Sequence, residues 1–307
     1  MSSFNRVLLL TILIFVVWGS LVIIAFLPAM VTRSLINPHV DFEEVYAAAD
    51  YGLAAKELEL ITKDGLTLAA WEVAVKEPRA VLIFVSDMRE PSVTAFFGHA
   101  RFLKEHGYAS ILVEMRAHGA SEGEQIGLGY AEHLDILAAL DYSKAQAAYQ
   151  GVPVIPFGLG LGGSAAINAV GLYPELAGFI SIAAFSTWPD LFRDNLYFSG
   201  APFLLALAEK PFANLYILFK FGWSKRNITP QKQIAKLGER PALLMHSQGD
   251  EQVSYLNLER LLLSAPRHVE VFFREGSQHH FSENLLDPGQ DKEYAARLLS
   301  FLESNFP

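Results

Sequence analysis

The sequence predicts an α/β fold, a mostly parallel sheet covered by helices on both faces, with one long apolar helix before it. From Ala80 onward, apolar runs that suit buried strands alternate with helical patterns, which is typical of such a sheet. Separately, Val7 to Met30 form an apolar run without a charged residue. The chain has 307 residues, 51% of them hydrophobic, which is enough for one large domain or two small ones.

The N-terminal run has the length and composition of a membrane-spanning helix. It lies between Arg6 and Arg33, and about 20 apolar residues suffice to cross a bilayer. The apolar core of a cleaved signal peptide is shorter, roughly 7–15 residues, and no clear A-x-A site closes this run. We therefore predict an N-terminal segment, residues 1–36, with a single-pass transmembrane helix at about 7–30 and the lipid bilayer as its partner.

Charge and composition restrict the partners and the chemistry. The positive charges on the two sides of the run are nearly balanced, so the positive-inside rule gives only a preference, with the domain on the extracytoplasmic side. The net charge is -9 and no Lys/Arg stripe occurs, which argues against a nucleic-acid partner. The chain has no cysteine, which excludes disulfides, thiolate metal sites and a cysteine nucleophile.

Residues 37–307 are predicted to form one domain that begins with a linker, Asn37 to Ala54. Two strand patterns flank the turn Lys63-Asp64-Gly65 and predict a hairpin. Ala80 to Val85 is continuously apolar, which suits a strand buried on both faces. The predicted elements are strands Lys56–Thr62, Leu66–Val75 and Ala80–Val85, helix Val93–His106, strand Ala109–Val113, helix Tyr130–Tyr149, strands Val152–Phe157, Phe179–Ala184 and Pro241–Met245, helix Val253–Leu263, strand Val269–Phe273 and helix Gln290–Phe301.

The segment Trp188 to Arg240 interrupts this alternation. It is rich in aromatic and aliphatic residues and is interpreted as two or three short helices. It follows a strand end, the edge at which open α/β sheets bind ligands. Two interpretations remain open: a helical excursion packed on the domain, or a lid, about 188–240, over a site.

A glycine-rich corner follows the strand at Val152–Phe157 and precedes a helical pattern at Ser164 to Leu172. Its glycines Gly158, Gly160 and Gly163 match G-x-G-x-x-G, which lets a pyrophosphate approach a helix N-terminus. The same corner resembles the nucleophile elbow G-x-S-x-G, with Gly160 in the place of the serine.

The dinucleotide interpretation lacks its second part. It requires an acidic ribose ligand about 20 residues further on, at the end of the next strand. That strand, Phe179 to Ala184, is followed by Phe-Ser, and the first acid is Asp190. The elbow interpretation is therefore preferred.

Three further motifs occur in an order that resembles the α/β-hydrolase family. Glu114 to Ser121 is similar to its D-x-R-G-H-G-x-S loop, with Glu114 for Asp and Ala117 for Gly. Pro241 to Asp250 resembles the approach to the acid-bearing loop, and Glu275 to His280 resembles the loop of the histidine. From about Lys56 to the C-terminus the chain is similar to hydrolases of the serine aminopeptidase and monoacylglycerol-lipase kind.

This resemblance implies an α/β-hydrolase fold and assigns the site residues. Asp250 corresponds to the triad acid and His279 to the triad histidine, with His280 as the near alternative. No cofactor is implied, and two neighbouring histidines lack the spacing of zinc motifs, so no metal is expected. The resemblance places the oxyanion-hole region at Ser86, Asp87, Met88 and Leu161.

The nucleophile and the oxyanion region depart from the family pattern. A triad histidine takes a proton from a hydroxyl or thiol, and Gly160 offers neither. Ser164 is the nearest hydroxyl, but it belongs one turn further on, in the helix. The family has His-Gly where this chain has Ser86-Asp87, and an aspartate there would oppose a developing oxyanion.

Two functions are therefore weighed. The first is a catalytically impaired hydrolase homologue with a binding or scaffold role, with a small acyl or peptide compound as ligand. The alternative is an active hydrolase of ester, acyl or peptide bonds, which uses water activated by His279 and Asp250 or another nucleophile. Asp87 is interpreted either as a partner for a cation or an alternative base, or as a solvated loop residue. His118 and His246 are expected to make structural hydrogen bonds.

Overall fold

The structure, a computed structural model, describes residues 3–37 and 39–307. Within these residues the strands are β1 (Lys56–Ile61), β2 (Thr67–Val73), β3 (Val81–Val85), β4 (Ala109–Val113), β5 (Val154–Leu159), β6 (Phe179–Ile182), β7 (Ala242–Ser247) and β8 (Glu270–Arg274). They form one eight-stranded sheet in the order β1-β2-β4-β3-β5-β6-β7-β8. β2 runs antiparallel to both of its neighbours, whereas β4, β3 and β5 to β8 are mutually parallel. The predicted mostly parallel sheet is confirmed.

The helices that the structure describes connect these strands and cover the sheet. They are α1 (Ser3–Ile36), α2 (Phe97–Glu105), α3 (His133–Ala145), α4 (Leu161–Leu172), α5 (Trp188–Phe198), α6 (Phe203–Phe221), α7 (Pro230–Ile234), α8 (Leu256–Leu262) and α9 (Lys292–Asn305). Side chains of β3 alternate between two hydrophobic layers, with Ile83 on the α3 and α4 side and Phe84 on the α2 and α9 side. Because both layers are buried, the central strands are apolar throughout, as their sequences predict.

Several predicted element boundaries were wrong by up to four residues; the last helix, for example, ends at Asn305 and not at Phe301. The helix predicted at Tyr130–Tyr149 is shorter, because the Glu132 carboxylate accepts the N–H of Gly129 at 2.8 Å and holds the preceding residues in a turn. At the glycine corner, the strand continues through Gly158 and the helix already begins at Leu161. The corner is therefore sharper than the pattern Ser164 to Leu172 suggests.

The segment between β6 and β7 contains one long helix. α6 has 19 residues and continues through Pro211, so the prediction of only short helices was wrong for this part. α5 and α6 pack against each other, and α7 follows before the chain enters β7.

The last turns of α1 belong to the core of the domain. Thr32 and Ile36 are fully buried, the indole N–H of Trp188 donates to the Thr32 hydroxyl at 3.4 Å, and α1 packs against α6. By length and composition, Arg6–Ile36 can cross a membrane, although a signal sequence near the N-terminus passes the same test.

Candidate active site

The carboxyl ends of four parallel strands meet at one edge of the sheet and bring the predicted site residues together. Asp87 follows β3, Gly160 follows β5, Asp250 follows β7 and His279 follows β8. This is the edge at which open α/β sheets bind ligands. The edge thus joins residues that are far apart in the chain into one cluster.

Gly160 occupies a sharp turn between β5 and α4. Its backbone has φ +54° and ψ −112°, a conformation that residues with a side chain rarely adopt. Its N–H donates to the carbonyl of Ile182 on the neighbouring strand at 2.8 Å. A β-carbon at Gly158 would lie 2.1 Å from the carbonyl oxygen of Gly162, so backbone packs directly on backbone. This strand–turn–helix arrangement is typical of a nucleophile elbow.

The start of α4 has no room for a pyrophosphate. The N–H of Leu161 donates to Asp87 Oδ1 at 2.7 Å, and the N–H of Gly162 donates to the carbonyl of Ser86 at 3.0 Å. These are the donors that a dinucleotide fingerprint would present to phosphate. The geometry thus agrees with the preference for an elbow over a dinucleotide site.

The carboxylate of Asp87 fills the space above Gly160. A β-carbon built on Gly160 would lie 2.1 Å from Asp87 Oδ1, so Asp87 stands where the nucleophile's own side chain would be. Oδ1 accepts the Leu161 N–H, and Oδ2 lies 2.9 Å from Nε2 of His279. This geometry agrees with the interpretation of Asp87 as the partner of a cation. It does not agree with a solvated loop residue, because the Asp87 side chain is only 14% exposed.

His279 lies between two carboxylates. Its Nδ1 is 2.8 Å from Asp250 Oδ2, and its Nε2 is 2.9 Å from Asp87 Oδ2. Ionised carboxylates only accept hydrogen bonds, so this geometry favours a ring protonated on both nitrogens, an imidazolium. Burial by itself would lower the pKa of His279, but the hydrogen bonds and charges of Asp250 and Asp87 raise it to about 10.

The two carboxylates are themselves held by backbone N–H groups. Burial alone would raise the pKa of Asp87, but His279 and the N–H groups of Leu161 and Met88 keep it below its usual value. Asp250 Oδ1 accepts the N–H groups of Gln252 and Val253, both at 2.9 Å. The cluster is a closed, mutually hydrogen-bonded ion network. In this arrangement His279 has no lone pair with which to accept a proton.

The other candidate residues lie around this network. It is His279, and not the adjacent His280, that contacts Asp250. Ser164 Oγ is buried and bonds the carbonyl of Gly160 at 3.2 Å and the N–H of Phe185 at 3.0 Å, so it does not face the cluster. Ser86 Oγ donates to the carbonyl of Pro91 at 2.5 Å.

The two histidines expected to be structural bond backbone carbonyls. His118 bonds the carbonyls of Arg116 and Met88, and His246 bonds that of Val253 at 2.7 Å. Across residues 3–37 and 39–307, no three His, Asp or Glu side chains are grouped as metal ligands.

A cavity of about 680 Å³ lies beside Asp87. Asp87, Met88 and His280 form part of its wall, and Leu35 at the end of α1 and residues 39–41 form another part. Val40 is held there by backbone hydrogen bonds with Ala117 and Gly119, each 2.8 Å long. The sequence predicts only a linker at residues 37–54 and does not indicate this role, because the segment has no motif and its pairing with the loop after β4 is long-range.

Gly160→Ala is expected to destabilise the protein by about 3 kcal/mol, because the new methyl group collides with the Asp87 carboxylate. Gly151→Ala is the matched control, since Gly151 has φ +75° but nothing within 4 Å of an added β-carbon. That control should lose only about 1 kcal/mol, from backbone strain. Urea unfolding followed by tryptophan fluorescence measures both losses. Equal losses would mean that Asp87 does not occupy the space above Gly160.

The sheet order, the elbow and the edge cluster define the class: an α/β hydrolase. Residues 76–236, more than half of the chain, match the family model described as serine aminopeptidase, S33. The chain therefore belongs to this family. A polyketide transferase from a Penicillium species is 27% identical over 135 residues, and the alignment spans 43% of this chain and 45% of that protein.

Solved structures confirm the fold. An esterase from Pyrococcus furiosus superposes with a TM-score of 0.67 at 20% identity, covering 89% of this chain and 98% of the esterase. An α/β hydrolase from Penicillium sp. sh18 gives a TM-score of 0.64 at 18% identity, covering 83% and 99%. The esterase domain of a Rhodothermus marinus protein gives a TM-score of 0.57 at 21% identity, covering 83% of this chain and 100% of that domain.

Proposed function

We propose that this chain is a membrane-anchored α/β-hydrolase homologue whose catalytic centre is closed by Asp87, and that it acts by binding a ligand and not by serine catalysis. One observation carries this proposal. The carboxylate of Asp87 takes the place of the nucleophile's side chain and bonds both the N–H of Leu161 and the ring of His279.

Three requirements of acyl transfer fail together in this arrangement. No hydroxyl is present at position 160, and loss of a serine nucleophile costs on the order of 10⁶ in rate in a serine protease. His279 has a carboxylate against each ring nitrogen, which favours the doubly protonated ring, and that form accepts no proton. The Leu161 N–H, which would stabilise an oxyanion, already serves a carboxylate.

The binding role rests on the cavity beside this network. Its volume of about 680 Å³ is within the range of small-molecule sites, about 300–1,000 Å³. Its wall combines apolar Leu35 and Met88 with charged Arg89 and Glu90. Such a lining suits a small ligand with an apolar part and a polar group, and we propose an acyl or peptide compound.

The alternative, an active hydrolase, is supported by the retained contact of His279 with Asp250. In that case Asp87 would first have to leave His279, so that the ring could lose a proton and activate water. The raised pKa of His279 opposes this step at neutral pH.

The membrane attachment is proposed from α1, whose apolar residues from Val7 to Trp18 are exposed in the structure. Burying such a surface in lipid satisfies the hydrophobic effect, and the helix satisfies its own backbone hydrogen bonds. The extracytoplasmic side remains the proposed location of the domain.

A serine-directed fluorophosphonate probe and a panel of short acyl esters test the proposal on the full chain. We expect no covalent labelling, and a background turnover that His279→Ala leaves unchanged. His268→Ala is the matched control, because His268 is exposed and, among the described residues, its ring bonds only the carbonyl of Arg240. Turnover that His279→Ala abolishes and His268→Ala preserves would instead favour the active hydrolase.

A further inference from the structure

The helix α6 presents an apolar face to solvent. Along Phe203–Phe221, all of which the structure describes, the exposed residues are apolar except Asn214, and the partly exposed Lys210 is paired with Asp190. Leu204 is 76% exposed and Phe219 is 89% exposed. A surface helix of a soluble domain has the opposite pattern, with polar residues outward. The outward face of α6 is therefore built for an apolar environment.

Neighbouring residues extend this face. Tyr197 and Phe198 at the end of α5 and Trp223 after α6 are also exposed, by 46%, 59% and 63%. Contiguous exposed apolar surface of this kind marks an interaction site for protein or membrane. We call the exposed apolar side chains of this segment the lid face: Tyr197, Phe198, Phe203, Leu204, Leu207, Leu215, Phe219 and Trp223.

The position of α1 identifies the occupant. α1 packs against α6, and from Ile24 onward one side of it is partly or fully buried, whereas Phe26 and Met30 on its other side stay exposed. Ile24, Leu27 and Pro28 all belong to the apolar run that ends at Met30. A bilayer core takes up about 20 residues of a helix, so the packed turns lie at its edge or just inside it. Because α6 packs against these turns, the part of the lid face next to α1 lies at the same depth.

We propose that the lid face is embedded in the interfacial layer of the same bilayer that α1 spans. This inference rests on the proposed membrane attachment through α1. Helices with an apolar face lie in the membrane plane, buried about 5–10 Å into the boundary between headgroups and acyl chains. Trp223 and Tyr197 suit this layer, because their rings combine an apolar body with a polar group.

Embedding of the lid face would place the cavity beside Asp87 next to the membrane. Leu35, which lines the cavity, follows Met30 by little more than one helical turn. The cavity mouth would therefore lie within roughly 10 Å of the bilayer surface, by the rise of 1.5 Å per residue. A ligand dissolved in the membrane would reach it more directly than one from bulk water.

The absence of native cysteine permits a direct test with single cysteines in the full chain. Phe219→Cys reports on the lid face, Phe15→Cys on α1, and Leu263→Cys is the matched control, with 84% exposure at the end of α8. Each is labelled with an environment-sensitive NBD dye and reconstituted in phosphatidylcholine vesicles. Lipids with a nitroxide on the acyl chain quench dyes in the membrane, and iodide quenches dyes in water.

We expect nitroxide lipids to quench the dyes at positions 15 and 219, and iodide to quench the dye at position 263. If nitroxide lipids quench the dye at position 15 but iodide quenches the dye at position 219, the lid-face proposal is overturned and the membrane anchor stands. Shielding of position 219 from both quenchers would also overturn it and indicate a protein partner or a second copy. Loss of quenching at position 15 would refute the membrane span, and the lid-face proposal with it.

Discussion

Gly160→Ser combined with Asp87→Gly is expected to increase the hydrolysis of short acyl esters by roughly 10³-fold over the wild type, whereas Gly160→Ser alone gives no gain. The serine side chain has no room while the Asp87 carboxylate lies 2.1 Å from the position of its β-carbon. Removing the carboxylate frees this space, the Leu161 N–H and Nε2 of His279 at once. A serine at position 160 would then face a histidine that Asp250 orients.

The triple variant with His279→Ala is the control for this gain. It should return to the background rate, because the serine then has no base. Steady-state ester hydrolysis and fluorophosphonate labelling measure the same site independently. A gain from Gly160→Ser alone that equals the gain of the double variant would show that Asp87 does not block the centre. No gain from either would mean that further parts of the catalytic machinery are lost.

Asp87→Asn is expected to lower the free energy of unfolding by about 1–3 kcal/mol, and the size of the loss should depend on pH. His279 has its pKa raised from 6.5 to about 10. The contribution of the raised His279 pKa to the free energy of unfolding is therefore fully present below pH 6.5 and is lost as the pH rises through about 10. Asp87 has its pKa lowered from 3.8, so its contribution is present above that value and is lost as the pH falls.

The measurement is the difference in unfolding free energy between wild type and Asp87→Asn from pH 5 to pH 10, by urea titration. The difference should be largest near pH 5 to 6.5 and should shrink towards pH 10. Buried histidines such as His99 and His133, whose pKa values burial lowers to about 3 and about 4, contribute equally to both proteins and cancel. A difference that stays constant over this range would argue against an ion pair between Asp87 and His279.

The fold could be predicted because the alternation of strands and helices is a local pattern of the sequence. Asp250 and His279 were assigned by resemblance to the α/β-hydrolase family, and in the structure Nδ1 of His279 lies 2.8 Å from Oδ2 of Asp250. Gly160 was also visible as a departure from the elbow pattern. The contact of Asp87 with Gly160 could not be predicted, because the two residues are far apart in the chain and meet through the pairing of β3 with β5.

Two further features also depended on tertiary packing. The sequence left Asp87 as either a cation partner or a solvated residue, and the choice depends on how closely β8 brings His279. The end of α1 was assigned to a segment separate from the domain, yet Ile36 lies in the core. The sequence does not show whether an apolar residue at the end of a membrane-spanning segment contacts lipid or the protein core.

The charge state of His279 tests the central account most directly. Selective ¹⁵N labelling of the nine histidines, with His279→Ala to assign the signal, reports the protonation of both ring nitrogens by NMR. We expect a ring protonated on Nδ1 and Nε2 at pH 8 that loses a proton near pH 10, and that titrates at lower pH in Asp87→Asn. A wild-type ring that is neutral at pH 8 and titrates near pH 6.5 would contradict it.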